Sequence, residues 1–230
     1  KRQNMRIFLV RHGQSMTNVD ISLHQSMPDH AIPLTDRGVE QAQQVGTFLR
    51  EHLNGSTSRV RIWNSAYLRA RQTSDEIAAR MQDTFELDQR ENPALCEQQF
   101  GIFDGLMTLI DGRLAPSEQC KKLHPMEYDH YRMCLEHEGE VWARVPLGES
   151  KFDVVNRVQL DFGVVRHDLN THGIDTVVVV CHGIALLAFV MGWCRHPYEW
   201  MQNHPWVDNC AVCLIEGNQD KGFVFTGFSE

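Results

Sequence analysis

The sequence predicts an α/β fold: a three-layer α/β/α sandwich, with a mostly parallel sheet, helices on both faces and a lid-like insertion. Two observations carry this. Short apolar runs rich in β-branched residues alternate with longer stretches in which apolar residues recur every three or four positions. The strongest run, 176–181 (TVVVVC), is continuously apolar, as a strand covered on both faces must be. Strands separated by helices read as a parallel sheet. With 230 residues and 42% hydrophobic content, one domain over 5–230 is expected, with 90–150 as the lid-like insertion. Residues 1–4 read as an expression remnant or a short native extension.

The elements follow in order. Residues 6–10 (RIFLV) form a buried strand. Thr35 and Asp36 offer capping oxygens to a helix over 38–53, whose stripe is Ala42, Val45, Leu49 and Leu53. Residues 59–63 (RVRIW) are a second strand, and 66–81 a helix with Tyr67, Ala70, Ile77 and Met81 on one side. From 90 to 150 the chain is rich in His, Glu, Gly and Pro, with broken helical signals at 116–124 and 126–136. Periodicity returns at Lys151: Phe152, Val155, Val158, Phe162, Val165 and Leu169 mark an amphipathic helix. The 176–181 strand then leads into a helix over 184–194, apolar all round and therefore buried. Residues 211–215 and 222–226 read as an antiparallel pair at the sheet edge.

Composition narrows the function. Lys+Arg 22 against Asp+Glu 30 gives a net charge of −8, which disfavours nucleic acid and anionic membrane surfaces as partners. A phosphorylated small molecule stays open, because a pocket needs few cations. The apolar runs are too short to span a bilayer. Seven cysteines without scaffold spacing read as reduced thiols of a cytoplasmic protein. Cys210 and Cys213 have metal or redox spacing, but their apolar setting reads as core. The remaining histidines form no closed ligand set, so no metal and no cofactor is expected. Monomer and homodimer are both compatible.

Ligands of parallel sheets sit beyond the carboxyl ends of strands. Arg11-His12-Gly13 follows the first strand, His182-Gly183 follows the valine strand, and Arg69 lies about one helical turn after the second. Two histidines and two arginines thus converge on one sheet edge, each histidine before a helix N-terminus that favours an anion. A single His-Gly after a strand would be unremarkable; the joint occurrence is not. These residue types suit phosphoryl transfer through a phosphohistidine. Imidazole is a nucleophile near pH 7. Paired guanidinium donors hold the phosphoryl oxygens, and a carboxylic acid must protonate the leaving group.

Several ordered motifs carry a resemblance. Arg11-His12-Gly13-Gln14-Ser15-x-x-Asn18, Leu34-Thr35-x-x-Gly38-x-x-Gln41-Ala42, Ser65-x-x-x-Arg69-Ala70-x-Gln72-Thr73, Leu95-x-Glu97-x-x-Phe100-Gly101, Pro146-x-Gly148-Glu149-Ser150 and Cys181-His182-Gly183 stand in sequence. Together they resemble the histidine phosphatase (phosphoglycerate mutase-like) superfamily over nearly the whole chain. The resemblance implies that His12 is the phosphorylated nucleophile and that Arg11, Arg69 and His182 form the phosphate pocket, with Asn18 a further contact. It implies that Glu97 is the proton donor, with His12, Glu97 and His182 as the catalytic set.

Departures from the mutase pattern point to the phosphatase-like branch. Gln98, not arginine, follows Glu97, and 26–31 (SMPDHA) stands where mutases carry a threonine-glycine-tryptophan stretch. The expected function is metal-independent hydrolysis of a small phosphomonoester. The alternatives are a bisphosphoglycerate-dependent phosphoglycerate mutase, which would isomerise phosphoglycerates, and a non-catalytic phosphate-binding module, which would have shed one of these groups. Of the cations in the insertion, Arg113, Lys121, Lys122, Arg132 and Arg144, most are expected to be solvated and one or two to touch substrate. Trp200 or Trp206 is expected near the mouth of the site.

Overall fold

The structure is a computed structural model and describes residues 5–110 and 113–229; the 1–4 extension lies outside them. In chain order the elements are β1 (Arg6–Arg11), α1 (Met16–Val19), α2 (Asp36–Leu53), β2 (Arg59–Asn64), α3 (Leu68–Met81), β3 (Glu86–Glu91), β4 (Met107–Ile110), β5 (Arg113–Pro116), α4 (Glu118–Leu123), α5 (Pro125–Glu138), α6 (Lys151–His172), β6 (Thr176–Cys181), α7 (Gly183–Cys194), α8 (Tyr198–Asn203), β7 (Val212–Glu216) and β8 (Gln219–Phe225). The main sheet has the order β3-β2-β6-β1-β7-β8. The first four strands are mutually parallel, and β7 and β8 run antiparallel at one edge.

Period-two alternation in β1 and β6 sends side chains to two separate cores. Phe8, Val10, Val178 and Val180 pack with Ala42, Val45 and Leu49 of α2 and Ala70, Ile77 and Met81 of α3. Ile7, Leu9, Val177 and Val179 pack on the other face with Val155, Val158 and Phe162 of α6 and Ile184, Leu187 and Phe189 of α7. This is the expected mostly parallel α/β sandwich, and it explains why α7 is apolar all round: ten of its residues are buried. Thr35 caps α2, its side chain accepting from Gly38 N. Ser150 caps α6 in a capping box with Asp153.

Several elements differ from expectation. β3 (ELDQRE) carries no apolar run. It is an edge strand held to β2 by backbone pairing, so its exposed side chains are free to be polar. The segment that departs from the α/β rhythm therefore starts after Glu91, not at Arg90. It contains a β4–β5 hairpin and α4 and α5, packed on a third small core of Phe103, Leu106, Met107, Cys120, Tyr131, Ala143 and Val145. α8 is too short to show periodicity. Helix α3 begins at Leu68 rather than 66, its N-cap Tyr67 making no side-chain cap bond. Cys210 and Cys213 are buried, unpaired thiols of the core.

Candidate active site

The sheet topology makes a crevice at one place. β1 and β6 are parallel neighbours, with Arg11 opposite Cys181. After β1 the chain passes to α2, on one face; after β6 it passes to α7, on the other. Chains that leave adjacent strands toward opposite faces open a gap at their carboxyl ends. His12 and His182 are the next residues on those two strands. His12 N donates to Cys181 O at 2.9 Å, and the two imidazoles meet edge-to-face with centroids 5.1 Å apart.

The His12 ring is oriented by its own loop. Nδ1 lies 2.7 Å from Gly13 O, and since a carbonyl only accepts, Nδ1 carries the proton. Nε2 is then the nitrogen with the lone pair. Gly13 is required here for space: a Cβ would sit 2.4 Å from Gly38 O, and a Cβ on Gly38 would sit 2.1 Å from Gln14 O. Two backbones cross at these glycines, which ties the His12 loop to the start of α2. Gly13 N donates to Thr73 Oγ1 and Gln14 N to Gln41 Oε1, so α3 and α2 each hold the loop from one side. Gly183 is different, since a Cβ there would make only ordinary contacts, with the Trp206 ring at 3.6 Å and Arg11 Nε at 3.9 Å.

A cavity of about 140 Å³ opens over His12, walled by Arg11, Asn18, Arg69 and Glu97 together with His24, Asp29, Asp104 and Trp206. Arg11 is buried, donates to Val207 O at 2.6 Å and lies over the Trp206 ring at 5.2 Å. Arg69 is buried too, its guanidinium 4.9 Å from the Tyr67 ring. Asp29 grips it: Arg69 Nη1 donates to Asp29 O and Oδ1 at 2.7 and 2.8 Å, and Nη2 to Oδ2 at 3.3 Å. Burial, then Arg69 and Arg11, hold the His12 imidazole well below its usual 6.5, so it is neutral at pH 7.

Glu97 reaches the cavity from the segment after β3. Its carboxylate accepts from Gln98 N at 2.9 Å and from Ile184 N and Ala185 N at 3.2 and 3.3 Å, so it caps the N-terminus of α7. Burial nevertheless dominates and raises its pKa above the usual carboxylate value. A proton is thus easier to keep on Glu97 than on a solvated glutamate. The Pro146-x-Gly148-Glu149-Ser150 motif braces this segment. Arg157 pairs with Glu149 at 2.8 Å and donates to Ala94 O and Glu97 O, while Gln98 Nε2 donates to Glu149 O.

The structure therefore gathers Arg11, His12, Asn18, Arg69, Glu97 and His182 at one sheet edge. His182 stands apart from the cavity wall. It is fully buried, with Nε2 2.8 Å from Ser65 Oγ and Nδ1 without a hydrogen-bond partner, and burial, then Arg69, hold its pKa well below 6.5. Asn18 lines the cavity, and its Oδ1 accepts from Ser15 N and Oγ and from Asn209 Nδ2. Trp206 lines the cavity, whereas Trp200 stacks on His196.

Of the insertion's cations, none among Lys121, Lys122, Arg132 and Arg144 lines the cavity. Lys121 lies over Tyr128, Arg132 pairs with Glu136 and Arg144 with Asp153. The Arg113 side chain lies outside the described residues. Four residues were not singled out from sequence: Ser65 as partner of His182, Asn209 donating to His12 O at 3.2 Å, Arg157 and Asp29. Ser65 and Asp29 stood inside motifs already in view. Asn209 and Arg157 gave no local signal. Among the described residues no group of three or more His, Cys, Asp or Glu is placed to hold a metal ion. Nor is any helix there long and apolar enough to cross a membrane.

Two facing imidazoles and two buried guanidiniums thus meet at the switch point of an α/β sandwich. The family model described as histidine phosphatase superfamily (branch 1) matches residues 7–228, and the chain belongs to that family. It is 30% identical over 227 residues to the phosphoglycerate mutase-like protein AT74 of Arabidopsis thaliana, covering 93% of this chain and 65% of AT74. The chain thus spans about two thirds of that relative. It is 23% identical to the broad-range acid phosphatase DET1 of Saccharomyces cerevisiae, over 91% of this chain and 84% of DET1. Among solved structures, a putative alpha-ribazole-5'-P phosphatase from Escherichia coli shares the fold with a TM-score of 0.70 and 22% identity, over 98% of each chain.

Proposed function

We propose that the protein is a metal-independent phosphomonoester hydrolase working through phospho-His12 on a small phosphorylated substrate. The observation that carries this reading is the neutral His12 imidazole, its Nδ1 proton committed to Gly13 O, lining a cavity beside Arg11 and Arg69. His12 Nε2 attacks phosphorus, and the bond from phosphorus to the ester oxygen breaks. That oxygen takes the proton of Glu97. Arg11 and Arg69 bind the equatorial oxygens, where charge is spread in the transition state. Asn18 is a further polar contact. His182, neutral by burial and touching the His12 ring, gains proton affinity as the dianion arrives and then adds positive charge beside it. A water molecule then gives its proton to the Glu97 carboxylate and attacks phosphorus. The P–N bond breaks, its electron pair returns to Nε2, and inorganic phosphate leaves.

Hydrolysis of p-nitrophenyl phosphate in the presence of a chelator tests this. Turnover is expected to survive the chelator, to be inhibited by orthovanadate and to fall on the order of 10³-fold or more in His12→Ala. Activity unchanged by His12→Ala would remove the mechanism.

A further inference from the structure

The non-reacting half of the cavity has a charge character that the phosphoryl chemistry does not require. Among the described side chains lining it, Arg11 and Arg69 are the only Lys or Arg, and both lie at the His12 end. Arg69 is in addition already gripped by Asp29 on two nitrogens. The outer wall holds Asp29 and Asp104, with His24 between them: His24 Nδ1 is 3.8 Å from Asp29 Oδ1 and 3.5 Å from Asp104 Oδ1. Most of the remaining lining is apolar, Ile21, Phe100, Met107, Leu114 and Trp206, with the hydroxyls of Ser15 and Thr17 besides. A leaving group therefore meets the exposed Asp104 carboxylate, the Asp29 carboxylate shared with Arg69, and a hydrophobic surface. There a second negative charge is opposed rather than paired, with part of the repulsion screened by solvent.

Resting on the phosphatase reading, we infer that Asp29 and Asp104 are specificity-determining residues. They restrict the substrate to phosphomonoesters whose phosphoryl group is the sole anion, with a leaving group that is hydroxylated or carries an ammonium. Bisphosphorylated and carboxylated esters are rejected at the outer wall. Asp29 has a double part, because the same carboxylate also fixes the Arg69 guanidinium on the phosphoryl side.

The test uses esters matched in size and differing in charge. Glycerol 3-phosphate ends in a neutral CH₂OH where 3-phosphoglycerate ends in a carboxylate, and ethanolamine phosphate carries an ammonium. For the wild-type protein, kcat/KM for glycerol 3-phosphate and ethanolamine phosphate is expected at least tenfold above that for 3-phosphoglycerate. In Asp29→Asn/Asp104→Asn the ratio should shrink to within about threefold, mainly through a lower KM for 3-phosphoglycerate. The ratio is internal to each enzyme, so general damage cancels. Asp104→Asn alone, which leaves the Arg69 grip in place, should move it part of the way if the double variant fails to fold. Equal or better turnover of 3-phosphoglycerate by the wild type overturns the inference, as does a ratio the variants leave unmoved. Failure of the phosphatase reading looks different: none of the esters nor p-nitrophenyl phosphate is cleaved. The same three esters are then ranked by competition against bound orthovanadate, where the same order of affinities is expected and equal affinities overturn the inference.

Discussion

His12 and Glu97 share one cavity, and burial moves their proton affinities in opposite directions. The imidazole is held below 6.5 and the carboxyl above its usual value. The proposed reaction needs His12 deprotonated and Glu97 protonated. The acid limb of kcat/KM should therefore lie below pH 6.5, where the imidazole finally gains its proton. The basic limb should lie above the ordinary glutamate range, where the carboxyl loses its own. Glu97→Gln should abolish the basic limb. It should also cost about 10²-fold or more with an alkyl ester and much less with p-nitrophenyl phosphate, whose leaving phenolate needs little protonation. Steady-state rates of both ester types across pH check this. The convergence of these residues was legible where type and position coincide, as in Arg11-His12-Gly13 and His182 beyond buried strands. The Asp29 grip on Arg69 was not: it joins a short helical turn to a helix 40 positions away, and nothing local marks the pairing. Asn209, 197 positions from His12, gave even less sign.

At the scale of elements, the strands and long helices were readable because burial on both faces leaves an unmistakable apolar record. β6 was found residue for residue. β3 and the β4–β5 hairpin were not, because an edge strand and a short ribbon satisfy their backbones without burying an apolar run. Motif glycines carry information of another kind. At the crossing of the His12 loop with α2, a methyl group on Gly38 would lie 2.1 Å from a carbonyl oxygen that is itself part of the backbone, so no side chain can move aside. Gly38→Ala is expected to cost at least about 2 kcal/mol in stability and, in the fraction that remains folded, to lower kcat because the imidazole shifts. Gly183→Ala, where only ordinary contacts with Trp206 and Arg11 Nε are made, should be mild on both counts. Chemical denaturation with phosphatase assays on the two variants separates them.

For the molecule as a whole, buried titratable groups set the pH at which folding is strongest. His12 and His182 bind protons less readily folded than unfolded, so stability falls as pH drops below 6.5 toward their depressed values. Asp161, buried on α6 with one oxygen unpartnered, is pushed up from 3.8 to about 7. It keeps its proton in the fold where the unfolded chain has lost it, so its contribution declines as pH rises from 3.8 through 7. Between pH 3.8 and 6.5 the histidines and Asp161 therefore act in opposite directions. Asp161→Asn should remove a loss of about 2 to 4 kcal/mol that builds up as pH rises from 3.8 to 7, and so steepen the gain in stability over that range. Orthovanadate at about a hundred times its Kd should add roughly 2.7 kcal/mol. Thermal and denaturant unfolding between pH 4 and 8 measures each of these.

The hairpin and helices inserted between β3 and α6 pack on a hydrophobic centre of their own, apart from the two that sandwich the main sheet. Yet Phe100, Asp104, Met107 and Leu114 from this region line the cavity that holds His12. The stretch from Phe100 to Val145 is cohesive on its own, and Glu97 lies just before it. Grafting that stretch alone onto a relative should transplant substrate preference while the host keeps its own glutamate and histidines.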